Sequence, residues 1–247
     1  MPYFKDFPNT FYKFGTEDTS VLFQDISTYV DVIDAIKDEA SVYTKYYIQN
    51  NERPDQLSFK LYGTTDFYWT FFMMNDNIRE QGWPLSNNEI VNFAQKELSL
   101  NTITSRALLA GFFPVGTKIE GLYSGATGIV DHRHLDLGQL VLRDVVPGLN
   151  GYFKGDGVDQ LRVFGSGISS GIYVHAYEPE YLSAHHYEDV NELTVDIDPA
   201  IGPGASLTEI SHLDRYISLN NSLKEIRIIK KDSIFQVAEA FNEAIRS

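Results

Sequence analysis

The sequence predicts an α+β chain: a helical first part, a β-rich insert, and a separate tail of one strand and one helix. Glycine is sparse before Gly111 and then recurs at Gly116, Gly121, Gly125, Gly128, Gly138, Gly148, Gly151, Gly155, Gly157, Gly165, Gly167 and Gly171, the short spacing of turns between short strands. Residues 54–97 instead carry apolar side chains at helical intervals, framed by start and stop signals. From Leu223 a strand-like run gives way to a second apolar stripe of helical period.

The opening, Tyr3-Phe4-Lys5-Asp6-Phe7-Pro8 through Phe11-Tyr12-Lys13-Phe14, is aromatic without a sustained period. An arm this apolar packs either on a partner or back on its own domain. Between Ser27 and Glu39, Val30, Ile33, Ala35 and Ile36 form an approximate helical stripe, with Asp25 or Ser27 as N-cap. Val42 to Ile48 is β-branched and aromatic and reads as a strand ended by Gln49-Asn50-Asn51-Glu52. Pro54 suits a first helical position, Asp55 adds negative charge to the first turn, and Gly63 supplies a stop, which frames a helix over 54–62. Thr64 or Thr65 caps a second helix over 66–74, so apolar that it belongs in a core. After Asn75-Asp76-Asn77 a turn is expected, and Ser86 with Glu89 has the spacing of a capping box for a helix over 87–97.

Beyond Phe113, the segments 117–122, 127–132, 139–146 and 158–164 alternate and suggest four or more short strands in a small barrel or sandwich. Residues 187–211 are acidic and carry Pro199, Gly202, Pro203 and Gly204, which reads as a linker or long surface loop. The tail then restarts at 223–229 as a strand and ends in an amphipathic helix with Ile234, Val237, Ala238, Phe241 and Ile245 on its apolar stripe. The domain reading is 1–41 arm and helix, 42–104 helical module, 105–180 β-rich insert, 181–220 acidic linker or loop, and 221–247 strand and helix.

Charge and composition limit the function classes. The chain has 20 Lys plus Arg against 34 Asp plus Glu, for a net charge of −14, which argues against duplex nucleic acid as a partner. With 43% hydrophobic and 22% charged residues it has ordinary material for a core. The densest apolar run, Phe67 to Met74, is far shorter than the roughly 20 residues a bilayer span needs, and no cleaved signal is expected at the start. There is no cysteine, so disulfides, thiolate metal sites and cysteine nucleophiles are excluded.

His132 and His134 would share a strand face and form the best metal-like pair, but a polar hairpin turn explains them, and no metal is expected. His185 and His186 are adjacent, so their side chains should diverge. Asp196 and Asp198 have no visible partner acid, base or nucleophile, and Gly151 to Gly157 matches neither a P-loop nor a dinucleotide fingerprint. No catalytic constellation or cofactor site is expected. The cations Lys224, Arg227, Lys230 and Lys231 form a local basic patch in an acidic chain.

The strand, helix, helix, turn order from Val42 to Trp83 looks like a LysM-type βααβ module. More specifically, Tyr46-Tyr47-Ile48, Arg53-Pro54-Asp55-Gln56-Leu57, Leu61-Tyr62-Gly63, Tyr68-Trp69, Met74-Asn75-Asp76-Asn77 and Gly82-Trp83 resemble the baseplate wedge family of T4-type contractile-tailed phages, gene product fifty-three. The run Asn221 to Lys230, followed by a helix, is similar to that family's C-terminus. The resemblance covers roughly the first hundred and last thirty residues and leaves the glycine-rich insert outside. It implies a non-enzymatic virion subunit of the tail baseplate, assembled in the host cytoplasm, that joins neighbouring wedges through other wedge proteins. An alternative is a glycan-binding or wall-degrading tail component that uses the LysM-like module. Glu52-Arg53-Pro54 stands where a glycan-binding LysM carries Gly-Asp-Thr-like chemistry, so glycan binding is not carried over. The expected partner contacts are Tyr3, Phe4, Phe7, Phe11, Tyr12 and Phe14 in the arm, with Arg227, Lys230, Lys231 and Phe241 in the tail. Neither nucleic acid nor membrane is expected as a partner.

Overall fold

The computed structural model describes residues 9–13, 20–24 and 41–246. In chain order the elements are β1 (Asn9–Lys13), β2 (Ser20–Gln24), β3 (Tyr43–Tyr47), α1 (Pro54–Tyr62), α2 (Trp69–Met74), α3 (Asp76–Gln81), α4 (Asn87–Glu97), β4 (Asn101–Thr104), β5 (Lys118–Gly121), β6 (Thr127–His134) and β7 (Gln139–Val146). They continue with β8 (Leu161–Val163), β9 (Ala176–Pro179), β10 (Ala184–Glu188), β11 (Thr194–Val195), β12 (Thr208–Ser211), α5 (His212–Ser222), β13 (Glu225–Ile229) and α6 (Ile234–Arg246). The expected helix between Ser27 and Glu39 lies outside the described residues. Two compact units result: the residues up to Asn87 with those from Leu219 onward, and Asn88–Ser218.

The first unit is built on a strand pair drawn from both ends of the sequence. β3 lies antiparallel to β13, with Tyr43 opposite Ile229 and Tyr47 opposite Glu225. α1 is closed by Gly63, whose φ of 80° places it in the left-handed region and whose N–H donates to the Phe59 carbonyl. α2 starts at Trp69, three residues later than the sequence suggests. The preceding stretch is held in turns by Ser58, whose hydroxyl donates to the Thr64 carbonyl and accepts from the Phe67 N–H. α3 occupies the stretch expected to be a turn, with Asp76 in its first turn. The core joins Leu57, Trp69, Phe71 and Met73 to Ile226, Ile229, Ile234 and Phe241, while Leu61, Phe72 and Trp83 pack partly buried against it. Tyr62 closes this core by donating its hydroxyl to the Ile229 carbonyl at 2.8 Å.

The second unit is dominated by a six-stranded antiparallel sheet in the order β8-β5-β6-β7-β4-β9. Beyond those pairings, Leu161 donates to Ile172, Val174 to Asp159, and His175 to Thr104, at 2.7–2.9 Å. These bonds carry the β8 edge round to the β9 edge, so the sheet curls into a small barrel around Ile103, Ile119, Val130, Leu140, Leu142 and Leu161. Asp159 is fully buried and gathers three turns: Oδ1 accepts the Tyr123 and Ser124 N–H groups at 2.9 Å, and Oδ2 accepts that of Lys154 at 2.7 Å. Gly121 is required beside it, because a Cβ there would stand 2.8 Å from the carboxylate.

The acidic stretch 187–211, expected to be a linker or long surface loop, carries short strands between its loops. β10 pairs with β11 and β12 in a second, three-stranded sheet. Its loops satisfy themselves: the Asp189 carboxylate accepts the N–H groups of Asn191 and Leu193, and that of Asp198 accepts the Ala200 N–H. Proline and glycine marked the turns correctly; the strands between them are too short to show a period.

Candidate partner-binding surfaces

Of the arm residues, Tyr3, Phe4, Phe7 and Phe14 lie outside the described residues. Phe11 and Tyr12 sit on the β1–β2 hairpin, opposite Leu22 and Val21 respectively. Their exposures are 73% and 57%, against 53% for Leu22 and 47% for Val21. Successive side chains of a strand point to opposite faces, so the hairpin presents apolar side chains on both of them.

In the tail, Arg227, Lys230 and Lys231 are exposed. The Arg227 guanidinium lies 5.1 Å from the Tyr43 ring centroid, and Lys230 Nζ donates to the Ser41 carbonyl at 2.6 Å. Phe241 is corrected: it is 1% exposed, with its ring 4.7 Å from that of Trp69, and belongs to the core rather than to a contact surface. Period alone marks it as apolar but cannot say whether the covering surface belongs to the same chain.

Of the two histidine pairs, one stands as its spacing implies and the other does not. His132 and His134 share a face of β6, with ring centroids 5.2 Å apart. His185 and His186, expected to diverge, meet at 5.0 Å with Nδ1 to Nδ1 at 2.9 Å. A register shift of β10 between Ala184 and His186 removes the regular alternation that would separate them. Among the described residues no group of three or more His, Asp or Glu side chains is arranged to hold a metal ion.

A cavity of about 220 Å³ in the second unit is lined by Ser105, Arg106, His175, Glu178, Tyr187 and Glu209, among others. Arg106 Nη2 reaches His175 Nε2 at 3.1 Å, and Tyr187 donates its hydroxyl to Glu209 at 3.1 Å. Burial, then the nearby Glu209, push the Glu178 carboxyl up. This lining offers charge of both signs without an aligned nucleophile and base.

Comparison with known families gives a match to the first part of the chain. The model described as base plate wedge protein 53 matches residues 11–98, from the hairpin to the end of α4. Over residues 11–98 the chain is similar to the base plate wedge protein 53 family. That family is one of phage baseplate wedge proteins. The barrel and the tail lie outside the matched segment, and no curated protein matches the chain. Among the described residues no helix is long and apolar enough to cross a membrane.

Proposed function

We propose that the chain joins neighbouring baseplate wedges by docking its β1–β2 hairpin on other wedge proteins, and that it does so without catalysis. The exposure of two consecutive residues, Phe11 and Tyr12, carries this reading. A hairpin folded back on its own unit would cover one of its faces, and an isolated two-stranded ribbon is marginal in water without an added partner. The exposed Arg227 and Lys231 in an otherwise acidic chain favour an acidic neighbour at the tail.

A LysM-like character of the first unit is part of the same reading. β3, the helices from α1 to α3 and β13 supply a strand, helices and a strand in that order, with β13 delivered from the tail. The glycan-binding alternative receives less support, because Glu52 is already engaged by Lys60 and Tyr46 at 2.9–3.0 Å and Pro54 begins α1.

The test replaces Phe11 and Leu22 by aspartate and follows incorporation into wedges and baseplates. The double variant should keep the wild-type melting temperature and fail to incorporate. Normal incorporation would defeat the reading, as would stoichiometric retention of the wild-type chain on peptidoglycan but not on purified wedge proteins.

A further inference from the structure

Five of the six histidines meet in the second unit, although they come from three separate segments. His132 and His134 stand on β6, His185 and His186 on β10, and His212 opens α5. The His212 ring centroid is 6.3 Å from that of His134 and 5.0 Å from that of His185. Two hydrogen bonds to backbone carbonyls run alongside: His212 donates its N–H to the Ser183 carbonyl at 3.1 Å, and the Gln139 side chain on β7 donates through Nε2 to the Ala184 carbonyl at 3.0 Å.

The charged groups around the cluster are unevenly shared. Asp131 lies 3.1 Å from His132 Nδ1, Glu180 lies 3.4 Å from His132 Nε2, and Glu188 lies 2.9 Å from His186 Nε2. Arg143 on β7 takes part of the Asp131 charge at 3.5 Å, and Asp214 on α5 is occupied by the Ser211 hydroxyl and N–H. The outer rings, His132 and His186, therefore have carboxylates against them. The inner rings, His134, His185 and His212, face one another; Arg215 acts on His185 and His212, while Asp136 offsets only part of the effect at His134.

We propose that this cluster is a proton-operated latch: while neutral it holds β10 and the start of α5 against β6, and on acidification it charges and releases that segment from the barrel. Burial, followed by neighbouring charge, holds His134 and His185 below the ordinary imidazole value, and His212 down to about 4. A ring whose folded value is depressed contributes fully above the unfolded value near 6.5 and loses that contribution as pH falls towards its folded value. For His212 alone the equilibrium changes by at most about 300-fold across that window, and by less because the ring is partly in water. The wedge reading does not depend on this device and can fail or hold independently of it.

Hydrogen–deuterium exchange of the whole chain from pH 7.5 to 4.5, corrected for intrinsic rates, tests the latch. Ala184–Glu188 and the first turn of α5 should lose protection between about pH 6 and 4.5 while the β3–β13 pair stays protected, and His185→Gln with His212→Gln should flatten that response. Simultaneous loss of protection in both units would overturn the proposal. So would an unchanged acid response in the double variant, or a response abolished by one equivalent of zinc at pH 7.5, which would make the cluster a metal site. Should the double variant misfold, the wild-type exchange pattern decides alone.

Discussion

The indole of Trp69 lies on the phenyl ring of Phe241, with centroids 4.7 Å apart and planes inclined by 31°. One residue begins α2 and the other comes from α6, so this contact fastens the tail to the helices of the first unit. Trp69→Ala should lower unfolding free energy by roughly 3–5 kcal/mol, and Phe241→Ala by a similar amount. Because the two rings share a surface, the double variant should lose less than the sum, by at least about 0.5 kcal/mol in urea titration. Strict additivity would show that each ring stabilises the fold independently.

Asn75 fills the place of a neighbouring strand at the free edge of β13. Its Oδ1 accepts the Arg227 N–H at 2.7 Å and its Nδ2 donates to the Arg227 carbonyl at 2.8 Å. That commitment fits with Asn75 standing at the N-cap of α3 with no side-chain capping bond, its backbone carbonyl alone accepting the Arg79 N–H. Asn75→Ala strands both backbone groups and should cost about 1–3 kcal/mol. Asn75→Asp, which keeps the acceptor, should recover part of that loss near neutral pH.

Glu52 gives the first unit an acid-sensitive contact. Burial pushes its carboxyl up, but the Gln49 N–H, Lys60 and the Tyr46 hydroxyl together bring it below the ordinary value. The sign follows from that depression: the contribution is present above about pH 4.5 and disappears as pH falls through the folded value. Glu52→Gln should therefore lower the melting temperature at pH 7 and approach wild type as pH falls through the folded value, as measured by thermal scans from neutral to acid pH.

Asp159 should be the most sensitive single position of the barrel turns. An amide in its place offers one acceptor oxygen where three N–H groups converge, and turns a donor towards the remaining donors. Asp159→Asn should cost roughly 2–3 kcal/mol and raise exchange at Tyr123, Ser124 and Lys154 first. Loss confined to the first unit would contradict this role.

The parts legible in the sequence are those whose signals are local. Pro54 and Gly63 mark the limits of α1, and the Ser86/Glu89 spacing marks the start of α4, because caps act within a turn. Leu57 and Trp69 were recognisable as core from helical spacing, whereas β4, β9 and β10 are four or five residues long and show their purpose only through pairing. The arm was visible from aromatic density, but the exposure of both hairpin faces requires the register of Phe11 on Leu22. The histidine cluster was hidden for a similar reason. His212 is far in sequence from His134, and the β10 register shift reverses the rule that neighbours on a strand point apart.

The pairing of β3 with β13 governs the order in which the protein can be made. A ribosome releases β3 long before β13 exists, so the aromatic strand and the helices behind it wait, incompletely covered, while the barrel emerges and folds. Closing so long a loop in a disordered chain would carry a large entropic cost. Two clasps reduce it: Phe93 meets Tyr216 edge to face at 5.5 Å where the barrel unit is entered and left, and Asn220 exchanges two hydrogen bonds with Leu85 at 2.7 and 2.9 Å. Once the barrel has folded, the late-synthesised strand has only a few residues left to search. A nascent chain stalled before Glu225 should therefore carry a finished second unit beside an unfinished first one, and depend on chaperones until translation ends.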